Sequence, residues 1–180
     1  PFQPRVEDVL AALKTFPPGT AGGRDGLTVL HIRHALSVGG SDILLDNLLG
    51  VVNRALAGNM PPTLRPYWAS APITPLMKPN GGIRPIAVGL TLRRLVSKVA
   101  LAAVLPSVSE YLQPYQVGVG VRGGAEGMVH AVNRLVADQQ NNPDLVVVSL
   151  DFQNAFNTVD RNRLLEEVVN QCPRILQYVC

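Results

Sequence analysis

A chain of 180 residues that is 47% apolar and only 16% charged has enough apolar material for a packed domain and too little charge for a disordered one. Its two cysteines, Cys172 and Cys180, are too few for a disulfide framework and share no zinc-type spacing with histidine, so a reducing intracellular compartment is expected. Net charge is only +3, yet no acidic residue stands between Asp46 and Glu110, while Arg54, Arg65, Lys78, Arg84, Arg93, Arg94 and Lys98 all do.

Val6, Val9, Leu10 and Leu13 recur at i, i+3, i+4 and i+7 and predict an amphipathic helix that PPGTAGG ends. RDGLTVLHIRHAL and SDILLDNLLGVVNRALAG each predict a helix, the second with Ser41 or Asp42 as N-cap and Gly58 as its stop. MPPTLRP reads as a loop. WASAPITPLM and GIRPIAV are short β-prone runs around the turn-rich KPNGG, which predicts a hairpin, and Pro72, Pro75 and Pro85 mark its strands as edge or irregular ones.

TLRRLVSKVALAAVL returns to helical period, with Leu92, Leu95, Val96 and Val99 on one face, Arg94 and Lys98 on another, and Pro106 as its limit. QVGVGVRGGAEG is a glycine-rich connection, MVHAVNRLVADQQ a helix and NNPD a turn. LVVVSLD predicts a buried strand, and RNRLLEEVVNQ a helix whose apolar side carries Leu164, Leu165, Val168 and Val169. The expected fold is helix-rich α+β, with residues 145–151 as the one central strand. No signal peptide and no apolar run near the ~20 residues of a membrane span are read. The chain begins at Pro1 and stops after QYVC, as an excerpt from something longer would.

The long one-signed stretch fits a polyanionic partner, because Lys and Arg gain most where they neutralise phosphates, although a solvated basic face fits the same residues. Asp151, at the end of an apolar run, either caps the turn that follows or faces a cleft where it binds a cation. Asp160 is better placed to cap the helix after it. His31, His34 and His130 show no ligand spacing and read as structural.

DFQNAFNTVDR resembles the first catalytic motif of the reverse transcriptase palm, where an aspartate at a strand end is followed by Ala and an aromatic at the fourth and fifth positions after it. Asp151, Ala155 and Phe156 hold that spacing. KPNGGIRPIAVG resembles the fingers hairpin of the same enzymes, with Lys78 and Arg84 flanking a glycine turn. PGTAGGRDGL, the hairpin, an Arg/Lys-bearing helix, QVGVGVRGGAEG and the aspartate strand also come in the matching order. Together they resemble reverse transcriptases of the non-LTR retrotransposon type.

That resemblance implies fingers and a fingers–palm connection over residues 1–140, and the start of a right-hand polymerase palm over 141–180. Asp151, helped by the backbone carbonyl of Phe152, would bind magnesium or manganese. Lys78, Arg84, Ala155 and Phe156 would surround the incoming dNTP, with the Phe156 ring excluding a ribose 2′-hydroxyl. Arg93, Arg94, Lys98, Gln116 and Arg122 would contact an RNA template and a DNA or RNA primer. The implied setting is the cytoplasm or nucleus, with no membrane. Each residue also has a plainer role: exposed hairpin cations, a core phenylalanine, a solvated helix face, or glycines that only permit tight turns.

The sequence lacks the adjacent aspartates that complete the metal site in that family, and the glycine-bearing motif before them. The 180 residues are therefore expected to be inactive alone. The alternative is a non-catalytic nucleic-acid-binding module derived from a retroelement, relying on the basic stretch 47–109.

Overall fold

A computed structural model describes residues 2–39, 41–152 and 155–180. The chain divides into two compact units, residues 1–103 with 174–180, and residues 104–173.

In the first unit the i, i+3, i+4 stripe near the N-terminus forms α1 (Val6–Lys14), where the Asp8 carboxylate accepts from the Arg5 N–H at 2.8 Å and secures the first turn. α2 (Val29–Ser37) starts at Thr28, whose hydroxyl accepts from the His31 N–H, while His31 Nδ1 accepts from the Thr28 N–H. α3 (Ser41–Leu56) begins one residue earlier than a Ser41 N-cap requires, and Gly40, where the cap falls, lies outside the described residues. Its end is as expected. Gly58 adopts φ 70, and the paired bonds Asn59 N–H to Arg54 O and Gly58 N–H to Ala55 O close a Schellman motif.

The expected loop MPPTLRP gives way to a short helix, α4 (Arg65–Ala69), which takes up Trp68 and Ala69 from the run expected to be strand. The hairpin is as expected: β1 (Ile73–Met77) pairs antiparallel with β2 (Ile83–Ala87), with Pro75 opposite Pro85. A two-stranded ribbon has only edges, so both prolines leave their missing N–H groups without consequence for a neighbouring strand.

α5 (Thr91–Leu112) runs straight through Pro106. Proline removes only the bond to the Ala102 carbonyl. The carbonyls beside it find side-chain donors, Arg174 Nη1 on Ala103 O at 3.4 Å and Ser107 Oγ on Val104 O at 2.9 Å. This continuous helix of 22 residues is long and apolar enough to cross a membrane by length and composition alone, which the reading that stopped it at Pro106 missed. Its Leu95, Val96, Val99 and Ala100 are instead buried in the core.

That core joins Val9 and Leu13 of α1, Val29 and Ile32 of α2, Leu48, Val52 and Leu56 of α3, and the first half of α5. Leu95, Val9, Val52, Val96 and Val99 are fully buried, each contributing about 1.5–3 kcal/mol relative to an exposed side chain. Thr91 is buried among them, its hydroxyl donating to the Leu27 carbonyl. The last residues pack back onto this unit through α9 (Leu176–Val179): the Tyr178 hydroxyl lies 2.6 Å from Ser97 Oγ, and the Phe2 N–H donates to Arg174 O.

The second unit holds α6 (Gly124–Asp138), the short α7 (Ala155–Thr158) and α8 (Arg161–Gln171). Asp160 caps α8 as expected, its carboxylate accepting from Asn162 N–H at 2.9 Å and Arg163 N–H at 3.2 Å. The expected central strand at 145–151 does not form. These residues carry no strand assignment, and Val146 and Leu150 are 76% and 78% exposed. A strand exists by pairing its backbone with a neighbour, and the only ladder among the described residues is the hairpin.

Candidate functional site

The hairpin carries two cations on one face. Leu76 pairs with Arg84, and the ladder continues one step beyond the strands through Lys78 N–H to Gly82 O at 2.6 Å. Side chains alternate along a strand and match across a pair, so Thr74, Leu76 and Lys78 share their face with Arg84 and Ile86. Lys78 therefore stands about 7 Å along the ribbon from the Leu76–Arg84 pair. The turn is held by Gly81 N–H to Lys78 O at 3.0 Å and by Asn80 Oδ1, which accepts from Gly82 N–H. Arg84 is exposed, Lys78 half-buried, and neither side chain has a hydrogen bond, ion pair or ring contact among the described residues.

The cations of α5 are used differently. Arg93 Nη1 donates to the Ala69 carbonyl at 2.6 Å. Arg94 donates to the Ala21 carbonyl and to Thr91 Oγ1, and its Nε is buried without a partner. Lys98 Nζ sits 4.8 Å from the centre of the Phe16 ring, a cation–π contact. All three are half-buried groups that fasten loops and the core to α5, rather than the open helix face read from sequence. A further cation was not singled out there: Arg24 lies 4.7 Å over the Tyr67 ring and donates to Ser70 Oγ at 2.9 Å. Its sequence neighbours, a glycine pair and Asp25, give no sign of that aromatic partner.

In the second unit the glycine-rich connection is shaped by contacts within the chain. A Cβ on Gly124 would lie 1.8 Å from the Val117 carbonyl oxygen, and one on Gly120, at φ 72, would lie 2.6 Å from Ser109 Cβ. Both positions exclude any side chain. Gln116 turns its Oε1 to the Gly118 N–H at 2.6 Å. Arg122 is exposed and its side chain has no hydrogen bond or ion pair among the described residues, at the rim of a groove with Val117, Gly124 and Met128.

Asp151 and Phe152 lie exposed at the end of the irregular segment, and Ala155 and Phe156 open α7. Gln153 and Asn154, the middle of the same motif, lie outside the described residues. Phe156 is 98% exposed, which rules out the core-packing role within this chain. Among the described residues no three His, Cys, Asp or Glu side chains come together in a way that could hold a metal ion. Asp151 offers one carboxylate and no companion.

The described chain is thus a helix-rich α+β protein with a two-stranded antiparallel ribbon bearing unpaired cations. No protein-family model matches it. It is similar to the retrotransposable element SLACS 132 kDa protein of Trypanosoma brucei gambiense, 30% identical over 96 residues. That match takes in 53% of this chain and spans 8% of the relative's length, so the likeness is to one part of a much larger protein and points to a retroelement origin.

Proposed function

We propose that the chain forms the fingers (1–140) and the first part of the palm (141–180) of an RNA-directed DNA polymerase of the non-LTR retrotransposon type. The observation that carries this reading is the hairpin face, where Lys78 and Arg84 stand together without partners inside the chain. The likeness to a retrotransposable-element protein supports it. A guanidinium fork and a compact ammonium suit the triphosphate of an incoming dNTP, since the fork bonds two oxygens at once and the ammonium acts as a point charge. Arg122, also free, is the candidate for a template phosphate. The exposed Phe156 ring supplies a wall against a ribose 2′-hydroxyl.

Nucleotidyl transfer in this class uses two divalent ions, which stabilise the attacking and leaving oxygens. The residues present do not make up such a site: Asp151 is a single carboxylate, and the described residues hold no metal-binding cluster. The chemistry belongs to a longer protein that adds carboxylates. What these 180 residues contribute is binding and positioning of nucleotide, template and primer.

Titration of the chain with a fluorescent dATP analogue tests this. Arg84→Ala and Lys78→Ala are each expected to weaken binding roughly tenfold, the scale of one charge-assisted contact. Arg93→Ala, whose donor is occupied by Ala69 O, should act through stability instead. Phe156→Val is expected to narrow the preference for dATP over ATP. Affinity unchanged by either hairpin variant would remove the reading. The lone carboxylate also favours a second one, a non-catalytic nucleic-acid-binding module. That module predicts affinity for an RNA–DNA duplex that falls steeply with salt and survives Asp151→Ala.

A further inference from the structure

On the outside of α3 runs an exposed stripe, Ile43, Asp46, Asn47, Gly50 and Arg54. Its centre is a glycine with nothing within 4 Å of the place a Cβ would occupy. A glycine in the middle of an exposed 16-residue helix weakens that helix, and no contact inside the chain requires it. Glycine serves where another backbone must come close. One turn before it stands Asp46 and one turn after it Arg54, opposite charges held apart on the same face. Neither has an ion pair or hydrogen bond among the described residues.

We propose that this stripe is a homodimer contact, in which α3 of a second copy crosses antiparallel about a two-fold axis at Gly50. Such an axis brings residue 50−n of one helix against residue 50+n of the other, so the stripe must be complementary to its own reverse. It is. Asp46 meets Arg54 of the partner subunit, and the exchange is repeated on the other side of the axis. Beside the stripe, Met60, Pro61 and Leu64 wall a groove whose floor is Asp46, Asn47, Gly50 and Arg54, and Ile43, 71% exposed, extends the stripe past it as apolar surface for the second copy. A helix carrying two like charges around Gly50, or a bulky residue at 50, would not fit itself in this way. A contact of one helix pair is small by the standards of stable dimers, so the association is weak and is read at high protein concentration.

Sedimentation equilibrium of the full 180-residue chain over rising concentration is expected to show a monomer–dimer equilibrium. Asp46→Arg alone and Arg54→Asp alone each place like charges opposite one another twice, and are expected to weaken the dimer roughly tenfold or more. The combined Asp46→Arg/Arg54→Asp variant restores opposite charges and should recover it. Gly50→Ala favours the helix yet should loosen the dimer, which separates association from folding; circular dichroism reports the fold of every variant. Gly50→Cys should form an intermolecular disulfide on mild oxidation, because the two Cα atoms come within the ~7 Å that such a bond spans. A chain that stays monomeric at all concentrations, a dimer indifferent to single charge reversal, or a combined variant that fails to recover, overturns the proposal.

Discussion

The two units of the chain differ in how they treat their apolar residues. In the first, α1, α2, α3 and the start of α5 close over Leu95, Val52 and Val9, and with the exception of Val104 every buried apolar side chain among the described residues lies there. In the second, α6 exposes Met128, Val129, Val132, Leu135 and Val136, and the irregular run before Asp151 exposes Val146, Val147, Val148 and Leu150. The same composition thus gives a packed body in one place and an uncovered surface in the other. Apolar patches of that extent are normally interaction surfaces.

That contrast is broken or sharpened most strongly by core truncation. Leu95→Ala is expected to destabilise the chain by about 2–5 kcal/mol, the usual cost of a cavity in a closed core, whereas Val148→Ala should stay within about 0.5 kcal/mol, as exposed substitutions do. Urea melts of the two variants decide it; comparable losses would mean the second unit packs as tightly as the first. A smaller effect is expected at the helix cap of the second unit. Asp160→Ala removes the acceptor for two orphan N–H groups and should cost about 1 kcal/mol. Hydrogen exchange should place that loss in the first turn of α8, with the amides of α3 unmoved.

The finest test concerns the two cysteines and runs against the general contrast. Cys172, in the exposed unit, is half-buried beside Leu164 and Val168, and this desolvation holds its thiol above the ordinary range, while Cys180 is exposed. Because the thiolate is the reactive form, iodoacetamide near neutral pH is expected to label the exposed Cys180 first, with the gap closing as pH rises and the Cys172 thiol ionises. The folded state's preference for a neutral Cys172 costs nothing below the ordinary thiol pKa, and stability declines as pH rises from there through the raised value. Equal labelling rates would show that Cys172 is as open as the rest of its unit.

Much of the helical skeleton was legible in the sequence because it is written in local terms. Periodicity marked α1, α2, α3, α6 and α8, Gly58 marked the end of α3, Asp160 the start of α8, and KPNGG the hairpin with Lys78 and Arg84 flanking its turn. The features that depend on distant partners were not legible. Pro106 looked like a stop, yet α5 continues through it to Leu112, with Arg174 and Ser107 side chains bonding the Ala103 and Val104 carbonyls beside it. Arg93, Arg94 and Lys98 looked like one open basic face, yet their partners are carbonyls and a ring from residues 16, 21 and 69, which no spacing along α5 announces.

The run before Asp151 states the division most clearly. The sequence by itself determined that these residues are apolar and β-prone and that an aspartate follows them, since both properties belong to single side chains and their order. Whether they become a strand was decided by tertiary structure alone. A strand is a relation between two backbones, and the described residues supply no second backbone for this one.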